Sequence, residues 1–160
     1  GLLLDADFLG EMFSLAHARS LVAGAALERA YLVRRHAGKM VYEEWLHGGG
    51  SLAGARARYV ESLSEATRVA PVEAEYLADV DDGLYVAAYL RAWALEVQAR
   101  DVLKTRYGRR WWTSRAAGEL LKELWATGLE YTADELSREL GAGGLSLASL
   151  ESDLVEALRQ

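Results

Sequence analysis

The chain has 160 residues, 51% of them hydrophobic, with one proline, no cysteine and a net charge of −6. That length predicts one domain burying roughly 70% of its unfolded surface. The acidic balance argues against nucleic acid as a partner, and the lack of cysteine rules out disulfides and thiolate metal sites while fitting a cytoplasmic protein. Alanine and leucine dominate a sequence almost free of proline, which predicts an all-α fold. No apolar run approaches the roughly 18 residues of a membrane span, so no membrane is expected. The opening GLLLDADFLG lacks the basic segment of a secretion signal.

The first predicted helix covers 14–47. Ala26, Ala30, Val33, Ala37, Val41 and Trp45 recur at three- and four-residue steps and mark a buried face. Glu28, Arg35, Lys39 and Glu43 fall on another side, expected to be solvated. Gly24 and Gly38 make a kink possible, and the HGGGS run from His47 closes the helix. Ser51 then caps a helix over 52–69, and Pro71 opens a short helical turn. The acidic Asp79-Val80-Asp81-Asp82-Gly83 precedes a long helix over 84–107, with Leu84, Ala88, Ala92, Leu95, Ala99 and Val102 as its expected buried face.

Gly108 stops that helix. Thr113 or Ser114 caps the next, through Trp125, and Gly128 ends it. Thr132 and Glu135 have the spacing of a capping box, in which each side chain satisfies the other's exposed amide. Ser146 caps a last amphipathic helix to Leu158. The sum is six or seven helices in one domain, two of them long, without a strand.

Four features invite a chemical reading. Glu44-x-x-His47 has the helical spacing with which a carboxylate and an imidazole meet one ion, but one such pair at a glycine-rich helix end does not make a site. His17 and His36 lie too far along the helix to complete it, and no metal is expected within this chain. Asp79–Gly83 fails the spacing of a calcium loop, and its acids are accounted for by capping and the helix dipole. The basic stretch Arg100–Arg115 interleaves Lys104, Arg106, Arg109 and Arg110 with Tyr107, Trp111 and Trp112, a mixture that can bind single strands. On an acidic chain it is read instead as complementing a helix C-terminus, and no nucleic acid is expected. Tyr85, Tyr89 and Trp93, at i, i+4 and i+8, form one stripe of the long helix. They either pack in the core or present phenols along a cleft, where they can donate to a developing oxyanion.

The ordered series LYVAAYLRAWALE, RYGRRWW, AGELLKELWATG and ADELSRELG, from Leu84 to Leu140, resembles the C-terminal helical part of the oligoendopeptidase and thimet-oligopeptidase superfamily of zinc metallopeptidases. Looser similarity covers the helix ending MVYEEWLH. The resemblance implies a C-terminal portion of a longer protein, whose upstream HExxH segment holds zinc. This portion would line the peptide cleft, with Tyr85 and Tyr89 hydrogen-bonding the tetrahedral intermediate and Trp93 facing substrate. HExxH is absent from these 160 residues, so the chain is expected to be inactive alone, with zinc only in a longer parent. Asp79 and Val80 stand where those peptidases carry a histidine, and Ala92 replaces a third tyrosine. The expected partners are a peptide substrate or an N-terminal catalytic segment. The alternative is a non-catalytic helical module that binds a peptide or protein on the same face.

Overall fold

A computed structural model describes residues 5–159, so the first four residues of the opening segment read above lie outside it. The fold is all-α, as expected. Among the described residues there are seven α-helices: α1 (Ala6–Met12), α2 (Leu15–His47), α3 (Leu52–Thr67), α4 (Val86–Tyr107), α5 (Arg115–Ala126), α6 (Ala133–Glu139) and α7 (Leu147–Arg159). Short 3-10 turns lie at Glu73–Glu75, Asp82–Leu84 and Trp111–Thr113, and no described residue is in a strand. No helix is long and apolar enough to cross a membrane.

The local signals act as read. Ser51 accepts from the amide of Ala53, Ser114 from Ala117, and Thr132 and Glu135 form the full capping box. The helix not anticipated is α1. Asp5 starts it by accepting from the amides of Asp7 and Phe8 at 2.8 and 3.2 Å.

The described chain groups into two compact units, Gly1–Leu27 with Arg91–Gln160, and Glu28–Leu90, so that α2 and α4 contribute residues to both. In the second unit, Tyr42, Ala55, Tyr59 and Leu63 form a buried core against which Trp45, Leu46, Val60, Tyr76 and Val80 pack. The Tyr42 and Tyr59 rings meet edge to face at 5.2 Å. Each phenol has a partner, as burial requires: Tyr42 donates to the Tyr76 carbonyl at 2.6 Å and Tyr59 to Asp79 at 2.9 Å.

This core corrects the expected faces of α2. Ala37 and Val41 are exposed, whereas Lys39 and Glu43, read as solvated, are buried. The reason lies at Gly38, where α2 comes close to α3. A Cβ there would stand 2.7 Å from the Ala66 Cβ and 2.9 Å from the Ser62 carbonyl oxygen. That approach turns Gly38 and Tyr42 inward and carries positions 39 and 43 with them. The face of α4 is corrected likewise. Ala99 is buried as expected, but Ala88 and Ala92 are exposed, and the larger Val86, Leu90 and Val97 are buried.

In the first unit, Leu103, Trp111 and Ala117 are buried, with Tyr107, Trp112, Leu120 and Leu121 against them. The acidic face of α1 docks on the basic stretch of α4. Asp5 and Asp7 reach Lys104 at 2.6 and 3.1 Å, Asp7 also takes Arg109, and Glu11 pairs with Arg110 at 2.6 Å. Phe8 meets Trp112 edge to face at 5.3 Å.

Two opposed outcomes test the packing at glycine. Gly38→Ala should destabilise the protein by about 1–3 kcal/mol, because backbone rather than a flexible side chain blocks the new methyl. Gly24→Ala, with nothing within 4 Å of its Cβ position, should stabilise by about 0.5–1 kcal/mol. Denaturant melts of the two variants read the difference in sign.

A second prediction concerns acid. The hydrogen bond from Arg109 is the main cause holding the Asp7 carboxyl below its ordinary 3.8. A depressed carboxyl stabilises the fold above its unfolded pKa and loses that contribution as pH falls through the folded value. The α1 contact should therefore weaken below pH 3.8, seen as a tryptophan emission change that Asp7→Asn removes.

Candidate functional site

Of the stripe expected either to pack in the core or to face a cleft, Tyr85 and Tyr89 are not in the core. Tyr85 and Tyr89 are 59% and 45% exposed, yet their rings are ordered against each other, edge to face at 5.4 Å. The His36 ring of α2 meets Tyr89 at 5.2 Å and 61°. Its Nδ1 lies 2.7 Å from the Leu32 carbonyl oxygen. A carbonyl only accepts, so Nδ1 is the donor of this bond. His36, set aside in sequence as a stray histidine, thus joins the tyrosines. Only distance in the chain hid it. Trp93, the third residue of the stripe, is half-buried and belongs to the other unit.

The backbone immediately before Tyr85 is strained. Gly83 has φ 63° and Leu84 φ 57°, two consecutive residues in the left-handed region. For leucine that conformation costs about 1–2 kcal/mol, because Cβ crowds the following carbonyl. It persists where surrounding contacts over-determine the chain, and such contacts are present. Asp79 accepts from Arg35 at 2.7 Å as well as from Tyr59, and Asp81 is paired with Lys39. The buried Glu43 accepts from the Asp81 amide at 2.8 Å and lies 3.4 Å from the Lys39 ammonium. The acids of Asp79–Gly83 are therefore not the helix caps expected of them. Asp81 makes no side-chain cap bond, and the left-handed pair separates them from the start of α4.

The electrostatics follow from these contacts. The hydrogen bond to Asp79 raises the Arg35 pKa, securing its charge. Burial first, then the Asp79 bond, pushes the Tyr59 phenol far up, and burial raises Tyr42 as well. Both phenols stay neutral donors at physiological pH. The Asp79 carboxylate is thus already committed to Arg35 and Tyr59.

Other candidate chemistry disperses. Glu44 and His47 are exposed at the end of α2, and among the described residues no three His, Cys, Asp or Glu side chains group to hold an ion. The residues present do not fit a zinc site, and no step can be derived through one. In the basic stretch, Arg100 pairs with Asp153 and Asp5, Arg106 donates to the Leu140 carbonyl at 2.6 Å, and Lys104, Arg109 and Arg110 meet the acids at 5–11. Comparison of the chain with protein-family models, with curated proteins and with solved structures finds no match.

Glu43 gives the sharpest test of the ionic lock before Tyr85. Its Oε2 has no hydrogen-bond partner among the described residues, so the carboxylate depends on Lys39 and the Asp81 amide. Glu43→Ala should cost about 1–3 kcal/mol, since it leaves the Asp81 amide without its acceptor and the buried Lys39 ammonium with Asp81 alone. Glu44→Ala, one residue on and exposed, should stay within about 0.5 kcal/mol. Chemical denaturation of both variants makes the comparison.

Proposed function

We propose that this chain is the C-terminal, cleft-lining helical region of a zinc metallopeptidase-like protein, contributing Tyr85 and Tyr89 to the substrate face and inactive alone. The supporting observation is the exposed, ordered tyrosine pair, set on a strained and ion-locked backbone. A phenol held in place before the reaction stabilises a developing oxyanion without reorganising, which is the largest catalytic effect such a group offers. His36 orients Tyr89 by its edge contact and is a second hydrogen-bonding group on that face. Zinc would be held by the parent protein, where it would lower the pKa of an attacking water. The proposed compartment is the cytoplasm, in keeping with the absence of cysteine.

One observation favours the second reading, a non-catalytic module that docks a peptide on the same face. Asp79 replaces the histidine and is locked to Arg35 and Tyr59, so the oxyanion set is incomplete.

The deciding experiment joins the chain to the HExxH-bearing segment expected upstream and assays a fluorogenic peptide library. Tyr85→Phe should lower kcat by about a hundredfold with KM little changed, as loss of an interaction made only in the transition state does. A docking module would show no turnover, while Tyr85→Ala and Tyr89→Ala would weaken peptide binding. Hydrolysis by the present chain alone, abolished by a chelator, overturns the claim of inactivity. Peptide binding and turnover both indifferent to the two tyrosines sink both readings.

A further inference from the structure

The first unit holds a cavity of about 370 Å³, walled by α4, the turn after α6 and Ser149 of α7. Its size is that of a small-ligand site. Val102 and Leu140 supply apolar wall, and Thr105 and Ser149 supply hydroxyls. Gln98 is buried and makes the frame rigid, donating to the Gly144 carbonyl at 2.8 Å and accepting from the Ser146 amide at 3.0 Å.

Two opposite charges line this cavity without satisfying each other. Asp101 has no ion-pair or hydrogen-bond partner among the described residues. The cations nearest it in the helix are committed elsewhere, Arg100 to Asp153 and Asp5, and Lys104 to Asp5 and Asp7. Asp101 and Arg106 are both solvent-exposed at the rim of the cavity. Partial burial is the main cause raising the Asp101 carboxyl, opposed by the charges of Arg100 and Lys104 and helped by Asp153 and Glu156. Arg106 is fixed by one bond, from Nη2 to the Leu140 carbonyl, and faces no carboxylate among the described residues. A guanidinium has five donors, so most of this one remains available.

We propose that this cavity binds a small zwitterion of the α-amino-acid or dipeptide class, its ammonium held by Asp101 and its carboxylate by Arg106. A simple anion would gain Arg106 and be repelled by Asp101, and a simple cation the reverse. Only a ligand carrying both charges satisfies both walls. The site is independent of the tyrosine face.

The full chain, labelled with nitrogen-15, is titrated with L-leucine and with glycyl-leucine, using N-acetyl-leucine and leucinamide as single-charge controls. Saturable shifts at the Gly141, Ala142 and Gly144 amides are expected from a zwitterion, with binding at least tenfold weaker for each control. Asp101→Asn should abolish the preference for the free amine, and Arg106→Gln the preference for the free carboxylate. Folding does not confound the first variant. A carboxyl whose folded pKa is raised costs stability when ionised, so Asp101→Asn should raise the melting temperature while losing amine selectivity. Equal binding of a blocked control, no saturable shift from any probe, or selectivity that survives Asp101→Asn overturns the proposal.

Discussion

Charges taken out of water have to be paired, and much of this fold follows from how that requirement is met. Lys39 and Glu43 leave solvent because Gly38 and Tyr42 turn that side of α2 inward. An ammonium and a carboxylate so placed offset each other's desolvation only in good geometry and with further hydrogen bonds. The acidic segment after Tyr76 supplies them: the Asp81 side chain goes to Lys39 and its amide to Glu43. Asp79, beside it, is drawn to Arg35 and Tyr59. The chain is thereby pinned on both sides of Val80. The left-handed Gly83 and Leu84 follow directly, and they set where Tyr85 begins the next helix. Such a network adds little net stability compared with an apolar core of the same shape. What it specifies is register, and register is what the tyrosine pair needs.

The same rule, applied in the first unit, makes a basic stretch into an internal contact. Arg100 is buried, and takes Asp153 and Asp5 as partners. Lys104, Arg109 and Arg110 are served by three acids of one short helical segment, Asp5, Asp7 and Glu11. Seven residues do not hold an isolated helix in water. What keeps α1 helical is its Asp5 cap together with this charge pairing and the Phe8–Trp112 contact. The cations that resemble a nucleic-acid surface in sequence are thus largely spoken for within the chain.

Legibility in the sequence divides along the same line. Helices and their ends are local matters, so Ser51, Ser114, and the Thr132–Glu135 box could be read from spacing. The inward faces of α2 and α4 could not. Alanine and valine occur around these helices on all sides, and alanine contributes too little area to choose between them. Glu43 was misread because a charged residue in a helix is almost always solvated, and only its distant partners at 79–81 make it otherwise. The short α1 escaped because no apolar period can establish itself over seven residues. His36 and Tyr89 meet only through tertiary packing, and no spacing rule joins them. The spacing of Tyr85 and Tyr89 is visible in the sequence, whereas their exposure is not.

The residues that remain outside the pairing rule are then the informative ones. Within one helix, Arg100 and Lys104 have acidic partners, while Asp101 and Arg106, interleaved with them, have none among the described residues. The latter two are solvent-exposed, so burial does not oblige them to pair; what distinguishes them is their place on the lining of one cavity. The tyrosine pair departs from the usual economy of a helix. Two large rings are left in water at the end of a strained segment, when turning them inward would bury more apolar area. Local choices that lose stability without a structural return are expected where a protein meets something else. On that criterion the tyrosine face of one unit and the charged cavity of the other are the two surfaces proposed here for ligand contact.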